Sequence, residues 1–134
     1  MTNTPEQNRA TVLKAFDTLF NQRDYVSASH FWSPSYIQHS AHIAPGRDGL
    51  FNLIKSLPDE LSHEVDYTMV EKDMVMVRGR FSGHGQPAPW IAVDFVRMEN
   101  GLLQEHWDVI EDEASQENSV SGLPMFKDSF AQLR

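Results

Sequence analysis

The sequence predicts an α+β fold in which N-terminal helices pack against an antiparallel sheet. Up to about residue 57, apolar residues recur at steps of three and four, which is typical of amphipathic helices. From Ser62 onward the period changes to two, as in half-buried strands. Because helices and strands are separated along the chain and do not alternate, a parallel sheet built from βαβ units is excluded.

The composition limits the size of the protein and its partners. With 134 residues, 40% of them apolar, we expect one domain, 1–134. The formal net charge of −8 argues against nucleic acid or an anionic membrane as a partner, since both attract basic surfaces. The absence of cysteine excludes disulfides and thiolate catalysis. Without a signal peptide or a long apolar segment, we expect a cytoplasmic protein.

The first helix has a clear start signal. Thr4 is placed as the N-cap, Pro5 at the first helical position and Gln7 to complete a capping box. We expect this helix to end near residues 21–23. One apolar stripe runs along this helix and consists of Val12, Leu13, Phe16, Leu19 and Phe20.

Two shorter helices are predicted next. Asp24 caps a helix that reaches about residue 32, where the break at residues 33–35 contains a proline. After an extended segment at residues 36–40 and a Pro-Gly turn, a third helix ends at Leu57, before Pro58. Its apolar stripe consists of Leu50, Phe51, Ile54 and Leu57.

The second half of the chain is predicted to form four strands and a tail. The strands at 62–70 and 74–81 form a hairpin, and residues 82–89 form a flap rich in glycine and proline. Residues 90–112 form a second hairpin. Residues 113–134 are a polar connection followed by a tail that we expect to dock as a short helix, with Leu123, Met125, Phe126, Phe130 and Leu133 as its apolar residues.

The turn at residues 99–101 decides which side chains of the second hairpin lie together. A two-residue turn of type I′ would place Asp94 opposite Trp107. A three-residue loop with a bulge at Gly101 would place Asp94 opposite His106. We prefer the second register because it gathers the ionisable side chains on one face.

In that register the two faces of the hairpin differ in character. One face is pocket-like and carries Trp90, Ala92, Asp94, Val96, Gln104, His106, Asp108 and Ile110. The other face is largely apolar and carries Phe95 and Trp107, which suits a subunit interface. Two carboxylates and an imidazole among apolar neighbours resist burial unless they are paired, so the first face is the candidate site.

These motifs resemble the SnoaL-like branch of the NTF2-like superfamily. The resemblance rests on three helices, the segment Tyr-Ile-Gln-His at 36–39, Pro-Gly-Arg-Asp-Gly at 45–49, Asp-Phe-Val-Arg-Met-Glu-Asn-Gly at 94–101 and Glu-His-Trp-Asp-Val at 105–109. It implies a cone in which a curved antiparallel sheet wraps around helices to form a pocket, usually in a homodimer packed through the sheet. The family includes aldol-type polyketide cyclases, and its wider superfamily includes isomerases, dehydratases, epoxide hydrolases and non-catalytic modules.

The resemblance implies that Asp108 serves as the acid/base residue. Where a cyclase of this family has a histidine on the preceding strand, this sequence has Asp94, so the cyclase mechanism does not transfer whole. We predict that Asp108 is a general base or acid with a raised pKa and that His106 and Asp94 assist it. A structural alternative is that these residues pair only to stabilise the fold.

Five further residues are predicted to contact a ligand, namely His39, Tyr36, Trp90, Trp32 and Gln104. His106, Asp108 and His39 could supply three metal ligands. However, the sequence lacks the helical His-x-x-His or Glu-x-x-His spacing, so we predict no metal and no other cofactor.

Two functions remain open at this point. The first is a cofactor-free acid/base enzyme that acts on an apolar, carbonyl-bearing small molecule as an aldol cyclase, isomerase or dehydratase. The second is a non-catalytic module that binds a small apolar ligand or a protein partner. Epoxide hydrolysis would need a water-positioning network of Asp, Arg and Asn or Tyr, which the sequence does not supply.

Overall fold

The computed structural model describes residues 3–131 and confirms the α+β class. The helices are α1 (Pro5–Phe16), α2 (Tyr25–Ala28) and α3 (Gly46–Ser56), and a π-helical turn, Asp17–Asn21, continues α1. The strands are β1 (Trp32–Gln38), β2 (Ser62–Glu71), β3 (Met74–Ser82), β4 (Trp90–Glu99) and β5 (Leu102–Asp112). They form one curved, open sheet in the order β1-β5-β4-β3-β2, in which only the β1–β5 pair is parallel.

The capping box predicted for α1 is confirmed. The Gln7 backbone N–H donates to Thr4 Oγ1 at 3.1 Å, and the Thr4 N–H donates to Gln7 Oε1 at 2.8 Å. The π-helical turn extends the helical backbone to Asn21, within the predicted boundary. There the Asn21 side chain bonds both backbone groups of His63, at 2.8 and 3.0 Å, which ties the end of the helix to β2.

The second predicted helix is wrong in length. Asp24 caps α2 as expected, but α2 ends at Ala28 and Trp32 already belongs to β1. The predicted break at residues 33–35 is strand, although it contains Pro34. Because β1 lies at the edge of the sheet, proline can occupy it without removing a hydrogen bond from a central ladder.

The preferred register of the β4–β5 hairpin is also wrong. Asn100 and Gly101 have φ angles of +53° and +78°, as in a two-residue type I′ turn, and Glu99 pairs with Leu102. Neither predicted partner of Asp94 is found, because one extra residue, Gln104, forms a bulge in β5. Beyond the bulge Asp94 pairs with Asp108.

The bulge preserves the predicted division of the hairpin into faces. Side chains alternate with a period of two, and beyond the bulge the observed register differs from the preferred one by two residues, so the inward residues there are the predicted ones. Asp94, His106 and Asp108 therefore face the helices. The one difference from the predicted faces is at the bulge, where Leu103 faces inward in place of Gln104.

The helices cover the concave face of the sheet and build one core. α1 packs against β2 and β3, and α3 packs against β1. The largest fully buried side chains are Trp32, Phe126, Leu19, Leu103, Val12, Val75, Val77 and Val96. None of the described helices has both the length and the apolar character that crossing a bilayer requires.

The tail docks without the helix predicted for it. Between residues 113 and 131 the chain forms turns, a positive φ of +74° at Gly122 and an isolated bridge between Phe126 and Ser129, while Leu133 lies outside the described residues. Phe126 is fully buried under the Arg80 guanidinium at 4.4 Å, and Arg80 in turn bonds both carboxylate oxygens of Glu113.

Candidate active site

A cavity lies between the concave face of the sheet and the helices. Its empty space is about 710 Å³ with the open mouth included. Most of the lining is apolar and includes Phe16, Phe20, Leu50, Ile54, Leu57, Phe81, Val96, Leu103 and Ile110. The polar side chains that line it are Tyr36, Ser40, His42, His84, Asp94, His106 and Asp108.

The closest contact in this polar group joins Asp94 and His106. Asp94 lies in the middle of β4 and His106 on β5, and both are buried, each with about 5% of its surface exposed. Asp94 Oδ1 lies 2.6 Å from His106 Nε2. A hydrogen bond of this length between a carboxyl group and an imidazole is typical of a charge-assisted pair.

Gln38 fixes where the protons of His106 lie. Gln38 Oε1 accepts a hydrogen bond from the Ser40 backbone N–H at 2.8 Å, so this atom is the amide oxygen. The same oxygen lies 2.7 Å from His106 Nδ1, which must therefore carry a proton and donate. The bond between Nε2 and Asp94 then requires one more proton, held either by the imidazole or by the carboxyl group. The Asp94–His106 pair thus holds a proton beyond the one on Nδ1.

Asp108 lies opposite Asp94 and is only half-buried. Burial raises the pKa of Asp108 above its usual range, the Ser40 hydroxyl and His106 oppose that rise, and Asp94 adds to it. The cavity therefore places a carboxyl group with a raised pKa next to a pair that holds an additional proton. A carboxylate of raised pKa is a stronger proton acceptor, and the neighbouring pair holds a proton that it can donate, so the two together can serve acid and base catalysis.

Tyr36 supplies a hydroxyl group to the same cavity. Its oxygen accepts a hydrogen bond from Gln38 Nε2 at 3.0 Å. Burial raises the pKa of Tyr36, and the carboxylates of Asp94 and Asp108 raise it further, so the phenol stays protonated. Because Tyr36 lines the cavity, its O–H is a donor that a ligand oxygen can accept.

The second carboxyl oxygen of Asp94 is available to accept a hydrogen bond. Oδ2 is buried and has no hydrogen-bond partner within residues 3–131. A buried carboxyl oxygen without a partner is costly, so a polar atom of a ligand or a water molecule is the expected partner.

Asp94, His106 and Asp108 offer ligand atoms that all lie within 4.8 Å of one another. Two donors on one zinc ion, with bonds of about 2.0–2.2 Å, are separated by roughly 3 Å or more. The 2.6 Å between Asp94 and His106 is shorter than that, and it fits a shared proton.

Two of the predicted ligand-binding residues lie elsewhere. His39 is on the outer side of the sheet, where its ring stacks on Trp107 at 4.9 Å and its Nε2 lies 2.7 Å from Glu105 Oε2. Gln104 forms the bulge and donates to Ser35 O and Oγ, each at 3.2 Å. Neither side chain lines the cavity.

The other predicted residues line the cavity, together with some that the sequence analysis did not select. Tyr36, Trp32 and Trp90 are part of the wall. Gln38, which bonds His106 without lining the cavity, follows Tyr36 by two residues in β1, a period that could have linked the two. Of the lining residues that were missed, Ser40 and His42 lie after the end of β1, where the alternation of a strand no longer applies. His84 lies in the flap, where no periodicity indicates which way a side chain points.

Comparison with known proteins supports the fold independently. The model of the SnoaL-like polyketide cyclase family matches residues 10–118. No functionally curated protein matches the chain significantly.

Three solved structures illustrate the match. A "putative ketosteroid isomerase" from Kribbella flavida has a TM-score of 0.74 at 20% identity, over 94% of this chain and 96% of that one. AclR, a "putative hydroxylase" from Streptomyces galilaeus, has a TM-score of 0.66 at 26% identity, over 81% of each chain. An NTF2-like protein of unknown function from Cytophaga hutchinsonii has a TM-score of 0.68 at 14% identity, over 83% of this chain and 95% of that one. The fold is an NTF2-like α+β cone.

Proposed function

The chain belongs to the SnoaL-like polyketide cyclase family, and we propose that it is an acid/base enzyme that needs no cofactor and acts on an apolar, carbonyl-bearing small molecule. The family description names a cyclase, and two of the structural neighbours are titled "putative hydroxylase" and "putative ketosteroid isomerase", which supports a small NTF2-like enzyme. One observation carries the proposal. Asp108, whose pKa is raised, and the Asp94–His106 pair, which shares a short hydrogen bond, line the same apolar cavity.

Asp108 is the base in this proposal. Its carboxylate removes a proton from the carbon next to the substrate carbonyl, and the electron pair of that C–H bond moves to the carbonyl oxygen as an enolate forms. A base with a raised pKa suits this step, because proton removal is most efficient when the pKa of the base approaches the working pH. A positioned general base typically contributes about 10²–10⁴-fold to the rate.

Tyr36 and the Asp94–His106 pair stabilise the oxygen. The phenol O–H of Tyr36 donates to the developing enolate, and the pair holds the proton that completes the enol. Removing one such donor typically costs about 10²–10³-fold in rate. The enolate then attacks a second carbonyl, is reprotonated at another carbon, or expels a hydroxyl group, which correspond to aldol, isomerase and dehydratase reactions.

The names of related proteins support carbonyl chemistry of this kind. Both the polyketide cyclase of the family description and the ketosteroid isomerase of the structural neighbour act, by name, on carbonyl compounds. The apolar lining favours a hydrophobic skeleton, because desolvating it is the main gain from binding.

The test is deuterium uptake at the carbon next to a ketone. Wild-type protein is incubated in D₂O with a panel of fused-ring ketones, and exchange is followed by NMR. We expect Asp108→Asn to lose about 10²–10⁴-fold of the exchange rate. Asp112→Asn, an exposed carboxylate on the same strand, is the matched control and should stay within about twofold of wild type.

A binding module is the alternative on the same scaffold. It predicts that ligands bind equally well to wild type and Asp108→Asn while no ketone in the panel exchanges. Epoxide hydrolysis has no support at this site, because no arginine among the described residues lines the cavity. Arg78, Arg80 and Arg97 are instead paired with Asp66, Glu113 and Glu105.

We also propose a homodimer formed through the outer face of the sheet. Phe95 and Trp107 lie on that face, as the sequence suggested, and pair with each other there. Further exposed apolar side chains on the chain's surface include Ile37, Tyr67, Met69 and Val109. Exposed apolar surface of this extent is typical of an interaction site.

A further inference from the structure

His84 is a buried histidine with no assigned partner. It lies in the flap at residues 82–89, only 6% of its surface is exposed, and neither ring nitrogen has a hydrogen-bond partner in the described part of the chain. Native proteins rarely leave both nitrogens of a buried imidazole unpaired, because each lost water contact is uncompensated. Such a group indicates a missing partner.

The backbone of the flap turns this side chain inward. His84 stands between Gly83 and Gly85, whose φ angles are +71° and +88°. A Cβ at Gly83 would lie 2.2 Å from the Glu60 carbonyl oxygen, so only glycine allows the flap to pack this closely. The local sequence therefore keeps His84 on the cavity side and away from solvent.

His84 lies at the end of the cavity far from the acid/base group. Its ring packs on Trp90 at 4.3 Å, and both residues line the cavity. Trp90 and Asp94 are four residues apart on one face of β4, which places their Cα atoms about 13 Å apart at roughly 3.3 Å per residue. The side chains that line the region between the two ends include Leu57, Phe81 and Ile110.

We propose that His84 is a ligand-binding residue that recognises a hydrogen-bonding oxygen at the flap end of an elongated, apolar ligand. That the other end carries the reacting carbonyl rests on the proposed function. The ligand is then an elongated, apolar compound with an oxygen at each end, on the order of 10 Å apart. A neutral imidazole offers one donor and one acceptor, so it can bind a carbonyl, a phenol or a hydroxyl group.

Burial and charge are consistent with a neutral ring. Burial lowers the pKa of His84, and Asp112 opposes this. His42 packs on Trp90 at 6.0 Å and is, with Asp112, a titratable side chain near this end of the cavity. His42 also opposes the burial-driven rise in the pKa of Asp108, which places it between the two ends. The competing explanation is that His84 serves only as an aromatic packing partner for Trp90, a role that phenylalanine would fill without unpaired nitrogens.

The test uses two steroids that differ in one oxygen. Both 4-androstene-3,17-dione and 4-androsten-3-one carry a ring ketone at one end, and only the first has an oxygen at the other end. Dissociation constants are measured by calorimetry for wild type, His84→Phe and His84→Gln. The phenylalanine keeps the packing on Trp90, and the glutamine keeps a donor and an acceptor.

We expect wild type to bind the dione about three- to tenfold more tightly than the mono-ketone, the usual gain from one hydrogen bond. In His84→Phe this ratio should fall to about one while the affinity for the mono-ketone stays within about twofold, and His84→Gln should restore part of it. An unchanged thermal unfolding temperature shows that His84→Phe is folded. The proposal is overturned if His84→Phe keeps the wild-type ratio, or if wild type binds both steroids equally or neither of them.

The outcome separates this proposal from the proposed function. Loss of the binding ratio in His84→Phe, together with ketone exchange by wild type that Asp108→Asn loses, supports both proposals. A ratio that depends on His84 without exchange of any ketone rejects only the enzyme. If ketone exchange depends on Asp108 but wild type binds the dione and the mono-ketone equally tightly, only the role of His84 is rejected.

Discussion

At the residue scale, the bond from Gln38 to His106 determines which proton the site holds. The amide oxygen of Gln38 accepts the proton on Nδ1 of His106. The hydrogen bond between Nε2 and Asp94 therefore needs a second proton, on either the ring or the carboxyl group. Gln38 does not touch the reacting atoms in the proposed mechanism, and it is a positioning residue that acts through His106. Residues that hold a catalytic histidine in one tautomer are important for activity for this reason.

Replacing Gln38 should therefore change catalysis more than binding. In Gln38→Leu the Nδ1 proton loses its acceptor, and His106 can donate from Nε2 to the Asp94 carboxylate without holding an extra proton. We expect kcat to fall by about 10–100-fold with KM changed by less than about threefold. Gln104→Leu is the control, because this glutamine also hydrogen-bonds within the sheet, to Ser35, but has no contact with His106. Equal losses in both variants, or a loss in KM alone, would reject the positioning role.

Asp108 should make stability depend on pH in a defined direction. A carboxyl group whose pKa is raised on folding binds its proton more tightly in the folded state. The folded protein therefore loses stability as the pH rises from the unfolded pKa, about 3.9, through the higher folded value. Asp108→Asn removes this loss. We expect the variant to unfold about 1–4 °C above wild type at pH 7 and with no advantage at pH 3.

Thermal unfolding between pH 3 and pH 8 checks this prediction. Asp112→Asn, which changes an exposed carboxylate on the same strand, should follow the wild-type curve closely. An Asp108→Asn variant that is less stable than wild type at pH 7 would mean that Asp108 stabilises the fold, as the structural alternative requires.

At the scale of elements, the β4–β5 hairpin shows what sequence could and could not predict. The alternation of side chains and the Asn-Gly turn are local, so the sequence correctly assigned the catalytic candidates to one face. The bulge at Gln104 is not readable from local preference, because its side chain is held by Ser35 of β1, a contact between residues 69 positions apart. For the same reason Gln104 was wrongly expected in the pocket.

Edge position and long-range contacts explain the other differences. Pro34 normally argues against a strand, but β1 is at the edge of the sheet and accommodates it. The tail was predicted as a helix from its apolar residues, yet the buried Phe126 is held by Arg80 from β3 without helical structure. By contrast, α1 and its capping box follow from sequence because every contact in the box is within three residues.

The type I′ turn at Asn100-Gly101, between β4 and β5, can be tested by a pair of substitutions. Gly101 has a φ of +78°, which strains an alanine, and a Cβ there would lie 2.7 Å from Asn3 Nδ2. We expect Gly101→Ala to lower the free energy of unfolding by about 1–2 kcal/mol, because alanine at a positive φ is costly. Asn100→Gly, in the same turn, should change it by less than about 0.5 kcal/mol. Urea denaturation measures both, and equal effects would contradict the type I′ turn.

At the scale of the whole molecule, the cone has an apolar outer face that no segment between residues 3 and 131 covers. Phe95 is 37% exposed and Val109 67% exposed on this face. The sequence predicted an interface there because Phe95 and Trp107 alternate with the inward residues. The observed register keeps both side chains on this face and, unlike the preferred one, pairs them with each other. The sequence could not predict that His39 would join this face by stacking on Trp107.

A homodimer through this face predicts how charges should act. We expect wild type to sediment as a dimer, and the double substitution Phe95→Arg with Val109→Arg to sediment as a monomer, because four buried unpaired cations would face each other across the two-fold axis. Val26→Arg, at an exposed position on α2, is the control and should remain dimeric. A monomeric wild type, or a double variant that stays dimeric, would contradict the proposed interface.

The site depends on the whole cone, because its parts come from three strands. Tyr36 and Gln38 arrive from β1, Asp94 from β4, and His106 and Asp108 from β5. The β4 and β5 residues could be grouped from the hairpin alone. The β1 residues could not, because the parallel pairing of β1 with β5 connects segments about 68 residues apart and has an irregular register.

The central claim is that one cavity holds Asp108, a carboxyl group of raised pKa that accepts a proton, and the Asp94–His106 pair, which holds a proton to donate. The most direct measurement is an NMR titration that follows the carboxyl carbon of Asp108 and both ring nitrogens of His106. We predict that Asp108 titrates above the usual range of an aspartate, while His106 keeps its proton on Nδ1 and shares a second proton with Asp94. If Asp108 titrates at or below the usual value and Nδ1 carries no proton at neutral pH, the acid/base arrangement is wrong.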